Sequence, residues 1–160
     1  MDDLNSLPAS AARQALAACC SSQAWVAAVE AGRPYASIGD LLAASDAAVA
    51  ALGEADLREA LDGHPRLGER QVTGWSSQEQ AGVSGDDAQA RAALADGNAE
   101  YEQRFGHVYL ACATGRSAAG LLAFLRERLA NDPETEWRVV AAELAKISRL
   151  RLRRLTGGAA

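Results

Sequence analysis

Turn-forming residues divide this chain of 160 residues into segments of helical length. Residues 9–31 are almost all helix formers and are interrupted only at Ser21-Ser22, so we expect two short helices joined at these serines. Gly32-Arg33-Pro34 ends this run, and Ser37 can cap the next helix with its side-chain oxygen. Alanine is abundant and only 5% of the residues are aromatic, which favours packed helices over sheets. The sequence therefore predicts an all-α fold.

The rest of the chain contains the same two kinds of signal. Ser and Asp residues can cap the starts of helices, and glycines and prolines end them. The helices predicted from them cover 54–61, a short segment that begins at Ser76, 86–105, 118–129 and 134–155. Residues 108–113 are apolar but too few for a stable helix, so we expect an extended or irregular buried segment there. A chain of this length can bury roughly 70% of its unfolded surface around one core. We therefore expect residues 1–160 to form a single domain.

Charge and composition exclude several classes of function. A net charge of −5 is unsuited to a broad phosphate-binding surface, which needs clustered Lys and Arg. Three cysteines and two histidines show neither a disulfide framework nor metal-ligand spacing, and no glycine-rich phosphate loop is present. No segment approaches the roughly 20 apolar residues that cross a bilayer. We expect a cytoplasmic protein with no metal, no cofactor, and no nucleic-acid or membrane partner.

Two positions combine reactive side chains with a defined backbone. His64 lies between Gly63 and Pro65, so it is held on a turn, and imidazole changes its protonation near neutral pH. Acid/base chemistry and a purely structural turn explain this histidine equally well. Glu79 lies three residues after Ser76. In a capping box, its carboxylate only accepts a hydrogen bond from the backbone N–H of Ser76. A substrate-binding carboxylate is the alternative.

Other polar residues have simpler interpretations. Cys112 lies in an apolar run, where burial disfavours the reactive thiolate, so we expect it to pack in the core. His107 follows a helix-ending glycine and precedes the apolar segment, so a surface or capping role explains it as easily as a role in a functional site. A basic cluster near the end of the chain is interpreted as a solvated helix face. It consists of Arg149, Arg151, Arg153 and Arg154.

Six short blocks occur in order along nearly the whole chain. They are Trp25 with Arg33-Pro34-Tyr35, His64-Pro65-Arg66-Leu67-Gly68, Ser76-x-x-Glu79-Gln80, Asn98-x-x-Tyr101-x-x-x-Phe105-Gly106, Ala111-Cys112-Ala113-Thr114-Gly115-Arg116-Ser117 and Glu143-x-x-Lys146-Ile147-x-x-Leu150-Arg151-Leu152. Each block is weak alone. Together this signature resembles the 2-oxo-4-hydroxy-4-carboxy-5-ureidoimidazoline (OHCU) decarboxylase family.

The resemblance implies a bundle of about eight helices that forms a homodimer. It also implies a cofactor-free decarboxylation in urate breakdown that releases CO2 and leaves (S)-allantoin, and an association with hydroxyisourate hydrolase is expected. By the same resemblance, His64 and Glu79 are catalytic, and ten further residues bind the small-molecule substrate. These are Pro65, Ser76, Gln80, Val108, Tyr109, Leu110, Ala111, Cys112, Ala113 and Arg151. Arg149 is close enough in spacing to be the alternative to Arg151.

Two alternatives of different kinds are left open by the sequence. In one, the chain is a helical interaction module in which the arginines of the last helix dock a partner and His64 is structural. In the other, the chain is a related decarboxylase or ring-opening lyase that acts on another ureido or hydantoin-like acid. A dry pocket that contains His64, Glu79 and Arg151 counts against the first alternative. Substrate analogues that lack the ureido arm test the second.

Overall fold

The computed structural model describes residues 2–67 and 88–157. Within these residues it contains eight helices and no strand. They are α1 (Asp2–Ser6), α2 (Ala9–Ala17), α3 (Gln23–Ala31), α4 (Ile38–Ala50), α5 (Glu54–Asp62), α6 (Ala88–Phe105), α7 (Ala118–Arg128) and α8 (Pro133–Leu155). The predicted all-α class with about eight helices is confirmed. The predicted helix start at Ser76 and the cap at Asp86-Asp87 lie outside the described residues.

Serine caps begin three of these helices, two of them at the predicted caps Ser37 and Ser117 and the third at the predicted helix junction. Ser22, Ser37 and Ser117 precede α3, α4 and α7, and each hydroxyl accepts a hydrogen bond from the backbone N–H three residues later, at 3.1 to 3.3 Å. Helix α6 ends at Phe105, and the next residue, Gly106, has a φ of 72°, a left-handed conformation that favours glycine. Local capping chemistry therefore fixes these boundaries.

The chain divides into two compact units. The terminal unit lies within Met1–Gly63 and Leu144–Ala160, and the central unit lies within His64–Glu143. Completely buried apolar side chains form the core of the terminal unit, among them Leu16, Trp25, Val29, Leu41 and Leu152. In the central unit, α6 and α7 pack against each other. Every helix within residues 2–67 and 88–157 is too short or too polar to span a lipid bilayer.

Helix α1 is not predicted by the sequence analysis, because five residues are too few for a helix on local propensity alone. Hydrogen bonds from distant residues hold it in place. The Asn5 side chain bonds both backbone groups of Tyr35, at 2.9 Å each. The Arg33 guanidinium donates to the carbonyls of Leu4 and Leu7. The Arg33-Pro34-Tyr35 block of the signature therefore has a structural role.

Helix α5 ends at Gly63, which lies against Ser21. The Ser21 hydroxyl donates to the Ala60 carbonyl at 3.0 Å and so satisfies a carbonyl at the end of α5. A Cβ atom on Gly63 would lie 2.2 Å from the Ser21 oxygen and 3.0 Å from its Cβ. Both distances are shorter than van der Waals contact, so the close approach of Ser21 requires glycine immediately before His64.

We expect Gly63→Ala to lower the free energy of unfolding by about 1–3 kcal/mol, the usual range for overpacking, because the new methyl group displaces Ser21 from the Ala60 carbonyl. Urea unfolding of the full chain, followed by circular dichroism, measures the change. Gly39→Ala is the matched control. A methyl group there would approach nothing closer than 3.4 Å, and the helix preference of alanine should stabilise the protein by up to about 1 kcal/mol. Equal effects of the two substitutions would contradict this account.

Candidate active site

The turn that begins at His64 is fixed to α6 at two points. Arg66 donates through Nε and Nη2 to the two carboxylate oxygens of Glu102, at 2.6 and 2.9 Å. The Leu67 carbonyl accepts a hydrogen bond from the Asn98 side chain at 2.9 Å. Asn98 and Glu102 are four residues apart, so both contacts come from the same side of α6. His64 itself is partly buried, and its Nε2 atom is buried.

The end of this turn joins the hydrophobic core of the central unit. The buried members of that core are Leu67, Ala90, Leu94, Tyr101, Tyr109, Ala111, Ala113, Ala118, Leu121 and Leu125. Leu67 belongs to the His64 turn, and three other members belong to segment 108–113. The structure therefore brings two predicted parts of the site, the His64 turn and segment 108–113, into one core.

Segment 108–113 forms neither helix nor strand, as the sequence predicts. Most of its residues are buried, but Val108 and Cys112 are only partly buried, so the expectation that Cys112 packs in the core holds only in part. The Cys112 N–H donates to Glu143 Oε2 at 2.8 Å. Within the described part of the chain, the N–H groups of Ala111 and Ala113 make no hydrogen bond. This segment therefore presents backbone donors at buried residues.

A buried ion pair between Arg128 and Glu136 supports the same segment. Their side chains are 2% and 1% exposed, and Arg128 Nε donates to Glu136 at 2.8 Å. Arg128 also donates to the Leu110 carbonyl and to the Tyr101 hydroxyl, and its guanidinium lies 4.8 Å from the centroid of the Tyr109 ring. Buried charges are tolerated when they are paired and hydrogen-bonded. This pair is not predicted, because nothing in the local sequence of either residue shows that the two are paired in the interior.

The tyrosines around Arg128 are neutral hydrogen-bond donors. Burial raises the pKa of Tyr101 and of Tyr109 far above the ordinary value, although the charge of Arg128 opposes this. Tyr101 donates to Glu136, and Tyr109 donates to the Leu121 carbonyl at 3.3 Å. Burial alone would lower the pKa of Arg128, but its hydrogen bond to Glu136 raises the pKa above the ordinary value. The two tyrosines therefore stay neutral and Arg128 stays charged across the neutral range, which suits a structural support better than proton transfer.

His107 belongs to an aromatic cluster, not to an exposed surface or a helix cap. Its ring lies 4.3 Å from the Trp137 ring, centroid to centroid, and 5.4 Å from Tyr101 in an edge-on arrangement. Its Nδ1 atom is 3.1 Å from the Val108 carbonyl oxygen. The His107 ring packs against these aromatic rings, so a packing role accounts for a histidine at this position.

The two candidate arginines of the last helix differ in environment. Arg149 forms an ion pair with Asp46, and both side chains are 41% exposed, as a solvated helix face predicts. Arg151 is 5% exposed, and its Nη1 atom lies 3.4 Å from the Cys19 carbonyl oxygen in the terminal unit. The solvated interpretation is therefore wrong for Arg151. Its assignment as the substrate arginine stays a prediction.

Part of the predicted site lies outside the described residues. Ser76, Glu79 and Gln80 fall between residues 67 and 88, so their predicted roles stay predictions. Among the residues that the structure does describe, no three His, Cys, Asp or Glu side chains cluster in a way that could hold a metal ion.

Comparisons with known proteins point to one family. The family model described as OHCU decarboxylase matches residues 5–153. The 2-oxo-4-hydroxy-4-carboxy-5-ureidoimidazoline decarboxylase of Mus musculus is 35% identical over 138 residues, and the match covers 82% of this chain and 78% of the mouse protein. The uric acid degradation bifunctional protein TTL of Arabidopsis thaliana is 28% identical over 145 residues, a match that covers 86% of this chain. The chain spans only 45% of that plant protein.

A solved structure gives the same result. The crystal structure of OHCU decarboxylase in the presence of (S)-allantoin superposes with a TM-score of 0.78 and 27% sequence identity. The superposition covers 88% of this chain and 96% of that one. The fold similarity therefore extends over nearly all of both chains.

Removal of the Arg128 charge should destabilise the protein strongly. We expect Arg128→Met to lower the free energy of unfolding by about 3–5 kcal/mol, because it leaves the Glu136 carboxylate buried without its cation. Arg126→Met, at an exposed position of the same helix, should change this energy by no more than about 0.5 kcal/mol. Urea unfolding of both variants measures the difference. Similar small losses in both variants would show that the ion pair contributes little to stability.

The contact between Arg66 of the His64 turn and Glu102 of α6 predicts how the pKa of Glu102 responds to substitution of Arg66. The hydrogen bonds from Arg66 hold the pKa of Glu102 below its ordinary value, although burial opposes this. Such a carboxylate stabilises the fold above its ordinary pKa, and this contribution is lost as the pH falls through the lowered pKa. Arg66→Gln should raise the pKa of Glu102 towards the ordinary value in a carboxyl ¹³C NMR titration, whereas Arg58→Gln should leave it unchanged. A Glu102 pKa that does not respond to Arg66→Gln would argue against the docked turn.

Proposed function

Because this chain belongs to the OHCU decarboxylase family, whose model matches residues 5–153, we propose that it converts 2-oxo-4-hydroxy-4-carboxy-5-ureidoimidazoline to (S)-allantoin and CO2 in urate degradation. The observation that carries this proposal is the core of the central unit, which the His64 turn and segment 108–113 share. The similarity to a structure determined in the presence of (S)-allantoin supports the choice of product.

The reaction proceeds without a cofactor in this proposal, because the substrate contains its own electron acceptor. The departing carboxylate is attached to a hydroxyl-bearing carbon next to a carbon–nitrogen double bond. When the carbon–carbon bond breaks, CO2 leaves and the bonding electrons move towards that double bond, which gives an enol-like intermediate. Loss of the hydroxyl proton and protonation of the neighbouring carbon and nitrogen complete allantoin. The protein binds the anion, stabilises the intermediate and directs one proton to one face.

His64 is the general acid/base in this proposal. It accepts the hydroxyl proton and returns a proton to the intermediate, a role that suits imidazole near neutral pH. The contacts of Arg66 with Glu102 and of Leu67 with Asn98 hold the turn, so the His64 side chain starts from a fixed backbone. A fixed starting point matters because proton transfer requires hydrogen-bond distance to the reacting atom.

The backbone of segment 108–113 supplies hydrogen-bond donors for substrate oxygens. Ala111 and Ala113 are 4% and 3% exposed, and within the described residues their N–H groups have no acceptor. Buried N–H groups are almost always paired in folded proteins. We assign these two donors to the bound substrate, where they stabilise negative charge as it develops on oxygen.

Other parts of the proposal rest on the family signature alone. Glu79 and Gln80 bind the ring and ureido nitrogens beside Ser76, and Arg151 binds an anionic or carbonyl oxygen. The protein acts as a cytoplasmic homodimer, and its substrate comes from hydroxyisourate hydrolase, with which it associates.

The test is to form the substrate in place from urate, with urate oxidase and hydroxyisourate hydrolase, and then to add this protein. Optical rotation and ultraviolet absorbance follow the product. We expect rapid formation of (S)-allantoin, and we expect His64→Ala to lower the rate by ~10²–10⁴-fold, the usual contribution of a positioned acid/base.

His107→Phe is the matched control for the second histidine, because phenylalanine keeps a flat ring against Trp137 and should retain turnover. Thermal unfolding checks that both variants are folded. Decay at the spontaneous rate to racemic allantoin with the unmodified protein would refute the proposed function and direct the search to other ureido acids. Unchanged turnover in folded His64→Ala would refute only the role of His64.

A further inference from the structure

Two buried charged side chains hold the backbone of segment 108–113, which has no helical or strand hydrogen bonds of its own. Arg128 donates to the Leu110 carbonyl, and Glu143 accepts the Cys112 N–H at 2.8 Å. Arg128 and Glu143 are each 1% exposed. Since a free loop would place its peptide groups poorly, these two contacts help to orient the segment, together with the packing of its buried side chains.

The two contacts use one carbonyl and one N–H group of the segment, those of Leu110 and Cys112. The N–H groups of Leu110, Ala111 and Ala113 make no hydrogen bond within the described part of the chain. A carboxylate is a strong acceptor, so Glu143 commits the Cys112 N–H to the protein interior. The N–H groups on either side of Cys112, those of Ala111 and Ala113, are therefore among the donors that stay available.

Helix α8 places Glu143 where this contact can form. Glu136 and Glu143 are seven residues apart, close to two helical turns, and therefore lie on one face of α8 with the buried Val140 between them. Glu136 binds Arg128, and Arg128 binds the Leu110 carbonyl. One helix face thus supports both ends of the peptide stretch 110–112.

We propose that Glu143 and Arg128 are positioning residues for the decarboxylation: they orient the peptide groups of 110–113 so that the Ala111 and Ala113 N–H groups face the substrate. This inference rests on the proposed function. Neither side chain touches the reacting atoms. Their effect on rate comes through the donors, because a misplacement of about 1 Å at a reacting centre can cost about 10²-fold.

Two substitutions at Glu143 separate the effect of its side-chain length from the effect of its charge. Glu143→Asp keeps the charge but withdraws the carboxylate from the Cys112 N–H, so we expect kcat/KM to fall by about 10²-fold and the excess of (S)- over (R)-allantoin to decrease. Glu143→Gln keeps an oxygen at the same reach and should restore both values towards those of the unmodified protein. Glu134→Gln, exposed at the start of the same helix, is the control and should be unchanged.

Full kcat/KM and enantiomeric excess in folded Glu143→Asp would overturn the proposal, and so would equal losses in the Asp and Gln variants, which would indicate a role of the charge itself. If Glu143→Asp does not fold, Arg128→Lys provides the test. Lysine keeps a cation beside Glu136 but cannot also reach the Leu110 carbonyl as guanidinium does. This variant should lose kcat/KM relative to Arg126→Lys, and full activity in folded Arg128→Lys would likewise overturn the proposal.

The unmodified protein in the same assay separates this inference from the proposed function. If it forms no excess of (S)-allantoin, the proposed function fails first. If it forms (S)-allantoin and the folded Glu143 and Arg128 variants do so equally well, the function stands and only the positioning role is refuted.

Discussion

The ion pair between Arg128 and Glu136 is the contact on which the central unit depends. It lies in the interior, where an unpaired charge would be very costly, and its remaining hydrogen-bonding capacity is used by Tyr101, Asn131 and the Leu110 carbonyl. The pair joins the end of α7 to the start of α8 and reaches segment 108–113 between α6 and α7. The irregular segment is thereby tied to α7 through Arg128.

This support explains how a small helical protein can offer backbone donors to a ligand. Beyond its first turn, a helix uses its own N–H groups, so backbone donors must come from helix N-termini or from residues outside helices. Segment 108–113 lies in the same core as the His64 turn, and both are held by side chains of neighbouring helices instead of by a regular hydrogen-bond pattern. The proposed chemistry needs such an arrangement, because the substrate provides the electron acceptor and the protein provides position and polarity.

Local signals in the sequence predict much of this fold. The serine caps at Ser22, Ser37 and Ser117 satisfy helix N–H groups three residues away, so their effect is visible without tertiary structure. Helix α1 is missed because distant residues stabilise it. Arg128 and Glu136 are missed for a related reason: nothing in their local sequence shows that they are paired in the interior.

The site is predicted less completely than the fold. The ordered signature singles out the His64 turn and segment 108–113, and the structure places Leu67 of that turn in one core with the segment. It does not reveal that Glu143 binds the Cys112 N–H, because that contact depends on how α8 packs. Burial likewise distinguishes Arg151 from Arg149 in a way that their spacing in the sequence cannot. The most direct test of the account is an ¹⁵N NMR titration of the full chain with (S)-allantoin and, separately, (R)-allantoin. The account predicts that the Ala111 and Ala113 amide resonances shift strongly and saturably with the (S) enantiomer. Unshifted amide resonances at these two residues, with (S)-allantoin bound elsewhere or not at all, would contradict it.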